Sequence, residues 1–194
     1  MDSNKRKIEK DGEIYLRVKK EKPKSRAQRR DEILYDLEEK QSGIQNAIQV
    51  LENFMAETED LRIRIEEAQA LGNEEEMEDF QNELSKKMED MQSQIEDAIG
   101  ISVGEALSEV EYLQEEMENW RDNFPENLQG SEKYEVVSNS AENLAMAADA
   151  LNSFTELLDL DDLENTLSAL EENETYLSEA ISYLSEAEFP GLYG

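Results

Sequence analysis

Cysteine and histidine are both absent from the 194 residues. That absence removes disulfides, thiolate nucleophiles, iron–sulfur clusters and Cys/His zinc sites. It also removes the imidazole base of Ser-His-Asp and Cys-His machinery and the Glu-x-x-His element of a di-iron bundle. There is no glycine-rich phosphate loop. No apolar run approaches the ~18 residues that a membrane span needs. The start, Met1-Asp2-Ser3-Asn4-Lys5-Arg6-Lys7, has no apolar stretch and does not read as a secretory signal. Proline occurs three times and tryptophan once. These gaps lead us to expect a cytoplasmic, non-enzymatic protein with no cofactor and no metal.

Positive charge is scarce as well: 19 Lys or Arg face 49 Asp or Glu, a formal net charge of -30. Hydrophobic residues make up 38%, below the ~45–50% of a typical domain, so any core is thin. The charge is unevenly spread. Residues 1–30 hold 12 Lys or Arg and 5 Asp or Glu, whereas residues 31–194 hold 7 and 44. A basic head therefore precedes a very acidic body, with the division read at residues 1–24 and 25–194. Such an asymmetry points to interaction rather than chemistry. The body repels nucleic acid and phospholipid and attracts basic surfaces, its own head included.

In the head, Lys7-Ile8-Glu9-Lys10 and Glu13-Ile14-Tyr15-Leu16-Arg17-Val18-Lys19 flank Asp11-Gly12. An Asp-Gly pair between alternating segments signals a β-hairpin; the alternative is a disordered basic head. From Ser25 onward good helix formers dominate, and cap signals divide the text. Ser25 with Gln28, Asn73 with Glu76 after Gly72, Ser102 with Glu105 after Gly100, Ser131 after Gly130, and Asp161 with Glu164 each mark a helix start. They predict five helices, at 26–71, 74–99, 103–123, 132–158 and 162–188. Pro125 and Pro190 stand just past two of the ends.

Each predicted helix has one apolar stripe and one face of carboxylates. In the first, Leu34, Leu37, Gln41, Ile44, Ile48, Leu51 and Met55 alternate three and four apart, a coiled-coil a/d seam. Leu34, Leu37, Ile44, Ile48, Leu51 and Met55 are therefore candidate self-association residues, which leaves a homodimer open. At 1.5 Å per residue this helix would run ~70 Å, so it either kinks, with Gly43 a candidate bend, or projects. The fold class expected is all-α: five amphipathic helices in a bundle or an elongated coiled-coil-like stack, preceded by the basic head. Leu37-Glu38-Glu39 with Ile44, Ala47, Ile48 and Leu51 echoes Leu170-Glu171-Glu172 with Leu177, Ala180, Ile181 and Leu184, an echo that heptad text also makes by chance.

Carboxylates crowd two places. Glu74, Glu75, Glu76, Glu78, Asp79 and Glu83 open the second helix, and Glu105, Glu109, Glu111, Glu115, Glu116 and Glu118 line the third. Duplex DNA carries one negative charge per ~1.7 Å; two such helices side by side would carry one per ~1.8 Å. These twelve are the candidate acidic binding residues, against the plainer reading of a solubilising surface. In the head, Lys5, Arg6, Lys7, Arg17, Lys19, Lys20, Arg26, Arg29 and Arg30 are candidates for a second, anionic partner, against the plainer reading of a tail folded onto the acidic body. Direct nucleic-acid binding is expected only through residues 1–30. Asp159-Leu160-Asp161-Asp162 lacks the glycine and distal glutamate of an EF-hand loop.

The stretch Trp120-Arg121-Asp122-Asn123-Phe124-Pro125-Glu126-Asn127-Leu128-Gln129-Gly130-Ser131-Glu132-Lys133-Tyr134 is followed by Ala-, Leu- and Glu-rich text ending Phe189-Pro190-Gly191-Leu192-Tyr193-Gly194. This part, roughly residues 115–194, resembles acidic helical proteins encoded in bacteriophage genomes. The resemblance implies a viral setting and carries no residue roles. In that setting the acidic body suggests an inhibitor that imitates nucleic acid and takes a host nucleic-acid-binding or defence protein as partner. The alternatives are a coiled-coil scaffold or virion assembly protein, and an adaptor tethered by its basic head.

Overall fold

A computed structural model describes residues 22–155 and 162–191, together with the backbone of 5–10 and 13–18. The body is all-α. Helix α1 (Arg26–Leu71) is followed by α2 (Glu74–Ile99), α3 (Gly104–Asp122), α4 (Glu132–Asn152) and α5 (Leu163–Glu186), with a 3-10 turn at Glu126–Leu128. Ahead of them, β1 (Lys5–Lys10) and β2 (Glu13–Val18) are paired antiparallel, Lys5 opposite Val18 and Lys10 opposite Glu13. Asp11 and Gly12, on which the turn is expected, lie outside the described residues.

The chain starts α1 with a reciprocal cap. Ser25 Oγ accepts from the Gln28 backbone at 3.2 Å, and Gln28 Oε1 accepts from the Ser25 backbone at 3.0 Å. At the far end Gly72 takes φ +67, which a Cβ would resist, and its N–H reaches back to the last turn. Between these caps α1 continues through Gly43 as a single helix of 46 residues. Gly43 marks no break, and a Cβ there would sit in ordinary contact with Ile101 Cδ1, at 3.4 Å.

That length is used twice. The first half of α1 forms a four-helix bundle with α3, α4 and α5, while the second half pairs with α2 alone. Side-chain contacts fix the directions. Arg26 and Arg29 reach Glu116 near the end of α3, so α3 runs antiparallel to α1. Arg30 reaches Ala187, and Gln41 and Gln45 reach Glu174, so α5 is antiparallel to α1 as well. Ser140 meets Glu188, and Asn173 meets Thr155, which sets α4 against α5. Beyond Leu51, α1 and α2 leave the bundle as an antiparallel two-helix arm; its 20 residues on α1 extend it about 30 Å. The long helix therefore projects, one of the two outcomes its length allowed.

The core is built from the predicted stripes. Leu37, Leu113, Leu144, Leu151, Leu170, Leu177 and Leu184 are fully buried, and Ala47, Ala141, Ala147 and Ala180 let the helices close around them. Each such leucine is worth roughly 1.5–3 kcal/mol. The fully buried core reaches Phe54 and Met91, with Met88 and Leu84 packed partly buried against it; farther out, Leu61 and Ala68 are buried outside that cluster. The heptad seam is consumed inside the chain. Leu37, Ile44 and Leu51 are 0–1% exposed, and Leu34, Ile48 and Met55 pack partly buried against the same core. A hydrophobic stripe cannot name its cover; within this chain the cover is α2, α3 and α5.

Several ends differ from expectation. Helix α3 is capped at Val103 with no side-chain acceptor; Ser102 Oγ instead accepts from the Gly104 backbone at 3.3 Å. Helix α4 ends at Asn152, short of 158. The buried Asn173 amide explains the exit: it accepts from Thr155 N and donates to Thr155 O, both at 2.8 Å, and so holds the chain extended there. Helix α5 is capped by Asp162, which accepts from Asn165 N at 3.1 Å; Asp161 lies outside the described residues. Past Glu186 the chain closes the end of the bundle. Ser140 Oγ donates to Glu188 O at 2.7 Å and accepts from Glu188 N at 2.9 Å, while Phe189 packs on the core. No described helix is long and apolar enough to cross a membrane.

Candidate functional site

The two predicted carboxylate clusters do not meet. Glu74, Glu75, Glu76, Glu78, Asp79 and Glu83 are exposed at the outer end of the arm. Three of them occupy the first turn of α2, where the helix dipole and unpaired backbone N–H groups favour negative charge. Glu76 also accepts from Asn73 Nδ2 at 2.7 Å. Helices α2 and α3 follow one another along α1 rather than lying side by side, and about 25 Å of helix separates Glu83 from the end of α2. The phosphate-like charge spacing expected of an α2–α3 pair is therefore not made by that pair.

Helix α3 carries its carboxylates on two sides. Glu105, Glu109 and Glu116 recur at steps of four and seven and face α1; Glu111, Glu115 and Glu118 lie on the other side. Glu111 and Glu115 are exposed, whereas Glu118 is half-buried and accepts from Gln114 Nε2 at 3.1 Å. Glu105 and Glu109 border a groove of about 290 Å³ opposite Glu32 and Asp36 of α1. Asp36 also borders the adjoining cleft, of about 620 Å³, which continues past Glu39 to Gln94 and Ile101. Glu32, Asp36 and Glu39 belong to this site, although the acidic clusters of the sequence do not include them. Their spacing of four and three is a carboxylate stripe at the helical period, a signal present in the sequence beside the more conspicuous seam.

The five carboxylates span about 10 Å of α1 axis, close to one per ~2 Å. Cations already lie among them: Lys24 pairs with Glu32 at 2.6 Å, and Lys40 pairs with Asp36. Basic side chains can thus enter the groove from within the chain.

The arginines assigned to the basic head are spent internally. Arg26 Nε and Arg29 Nη2 donate to the same oxygen of Glu116, at 2.7 and 2.6 Å. Arg26 also lies over the Trp120 ring at 5.2 Å and Arg29 over Tyr112 at 5.0 Å. Arg30 donates to the Ala187 carbonyl at 2.7 Å and stands 5.8 Å from the Phe189 ring. Burial by itself would raise the Glu116 pKa; the two guanidinium hydrogen bonds outweigh it and hold the carboxyl below its ordinary value. Together these contacts brace the start of α1 to α3 and to the C-terminal segment, so Glu116 and the three arginines are not a free binding surface. The side chains of Lys5, Arg6, Lys7, Arg17, Lys19 and Lys20 lie outside the described residues.

Ten of the twelve predicted acidic residues are thus exposed, all but Glu116 and Glu118. They fall on three surfaces: the arm's outer end, the flank where α3 faces α1, and the other side of α3 that carries Glu111 and Glu115. Comparison with protein-family models, with characterised proteins and with solved structures yields no match for this chain.

Proposed function

We propose that this is a non-enzymatic interaction protein that offers a rigid field of carboxylates to a basic, nucleic-acid-binding protein in place of nucleic acid. The observation that supports the reading is the bundle flank, where Glu105 and Glu109 of α3 face Glu32 and Asp36 of α1 across a groove, on helices fixed by a shared core. Preorganised charge loses little conformational entropy on binding and steers a basic partner at long range. In the bacteriophage setting that the resemblance implies, the partner is a host protein, met in the cytoplasm, and the complex inhibits it. The head, folded as the basic hairpin of residues 5–10 and 13–18, would add a separate cationic surface for an anionic contact.

The test is capture with tagged protein from nuclease-treated bacterial lysate, eluted by a salt gradient. A nucleic-acid-binding protein released at moderate salt and competed by duplex DNA supports the reading. Glu32→Lys with Glu105→Lys and Glu109→Lys should abolish that capture, whereas Glu74→Lys with Glu75→Lys and Glu78→Lys should leave it largely intact. Capture that is indifferent to the first triple variant overturns the assignment.

A further inference from the structure

Tyr35 is the most exposed aromatic ring among the described residues, at 70%. A single exposed ring needs no explanation by itself; its neighbours on α1 are the informative part. Positions three and four residues to either side are all carboxylates, Asp31, Glu32, Glu38 and Glu39, so the ring stands inside a ring of negative charge. Asp31 is paired with Arg30 and Glu32 with Lys24, while Glu38 and Glu39 are exposed and form no ion pair among the described residues.

The same molecule shows twice what an aromatic ring and a carboxylate one turn apart will hold. Tyr112 and Glu116 hold Arg29, with the guanidinium 5.0 Å from the ring centre and 2.6 Å from the carboxylate. Glu116 and Trp120 hold Arg26, at 5.2 Å and 2.7 Å. In each case one planar cation lies over a ring and donates to the carboxylate beside it, a combination that guanidinium geometry suits better than an ammonium. Tyr35 with Glu39 repeats the Tyr112–Glu116 spacing on the outer side of α1, turned to solvent.

The geometry points to Tyr35, with Glu38 and Glu39, as the landing place for an arginine side chain of the basic protein that the acidic flank receives. This rests on the function proposed above and gives that flank a preference: arginine-rich surfaces over lysine-rich ones. The site is contiguous with the cleft that Glu39 and Asp36 border, so one partner surface can fill both.

The test uses the full chain, with nona-arginine and nona-lysine peptides titrated by calorimetry at about 0.1 M salt. Nona-arginine should bind wild type more tightly than nona-lysine. Tyr35→Ala should weaken nona-arginine by about 2- to 5-fold and leave nona-lysine nearly unchanged, while Tyr35→Phe should retain the preference. Tyr112→Ala, whose ring already holds Arg29, should leave the preference unchanged. In NMR spectra the Tyr35 ring signals should shift on adding nona-arginine. If both peptides bind but Tyr35→Ala matches wild type and the ring signals stay put, the arginine site is wrong and the acidic-surface reading stands. If neither peptide binds wild type, both are overturned. Circular dichroism checks that each variant remains helical.

Discussion

Glu116 gives the sharpest test of the internal brace. One of its carboxylate oxygens receives both Arg26 and Arg29, and its side chain is only 26% exposed. Glu116→Gln keeps the shape and one acceptor oxygen but removes the charge. Charged hydrogen bonds are worth more than neutral ones, and partial exposure trims them, so the expected cost is about 1–2 kcal/mol. For a chain of this size that lowers Tm by roughly 2–8 °C. Removing a negative charge anywhere in a protein of net charge -30 also relieves self-repulsion, so the comparison must be matched. Glu115→Gln makes the same change on the exposed neighbour and should be neutral or slightly stabilising. Thermal denaturation of wild type and both variants at pH 7, in low salt, measures the difference. Because the folded pKa of Glu116 is depressed, its contribution is complete above the unfolded value of about 4.5 and is lost as pH falls through the lower folded value. The gap between Glu116→Gln and Glu115→Gln should therefore narrow as the pH falls below 4.5. Equal Tm values for the two variants at pH 7 would refute the brace.

Ile44→Lys should unfold the bundle, because Ile44 is 1% exposed and a buried unpaired charge costs several kcal/mol; a folded variant that has only lost self-association on gel filtration would restore the seam to an intermolecular role. Asn173→Ala leaves the backbone N–H and C=O of Thr155 without their amide partner, at about 2–3 kcal/mol; faster hydrogen exchange at Thr155 together with a lower Tm is the expected pair of results, and an unchanged Tm counts against it. Leu61→Asp should open the arm while sparing the bundle, since Leu61 is buried outside the core cluster that holds Leu37, Leu113 and Leu184. Hydrogen exchange should then lose protection in the outer parts of α1 and α2 and keep it around Leu37; loss of both together would show one cooperative unit.

Local signals read well in this chain because the physics behind them is local. The Ser25–Gln28 box, the Gly72 turn and the Ser131 cap each act within a few residues, and a helical stripe is set by 3.6-residue periodicity. One error falls where a distant group intervenes. At the end of α4 a side chain on α5, Asn173, takes hold of Thr155. Ser102 and Glu105 have the spacing of a box, yet Ser102 Oγ accepts from the Gly104 backbone and the helix starts one residue later, at Gly104. The sequence left open whether Arg26 and Arg30 serve an anionic partner or fold onto the acidic body; tertiary contacts place them over Trp120 and Phe189.

The sequence by itself determined the chemistry available: an acidic, helical chain without thiol or imidazole, five stripes to bury and most of the places where helices begin. Only the tertiary structure decided which stripe covers which. A seam at heptad spacing is satisfied by any apolar partner of matching period, whether in the same chain or another copy. The choice of α5, α3 and α2 as partners buried the seam, sent the second half of α1 outward as an arm and drew α2 away from α3. It also set Glu32 and Asp36 opposite Glu105 and Glu109, some seventy residues away in the chain, where they form the acidic flank.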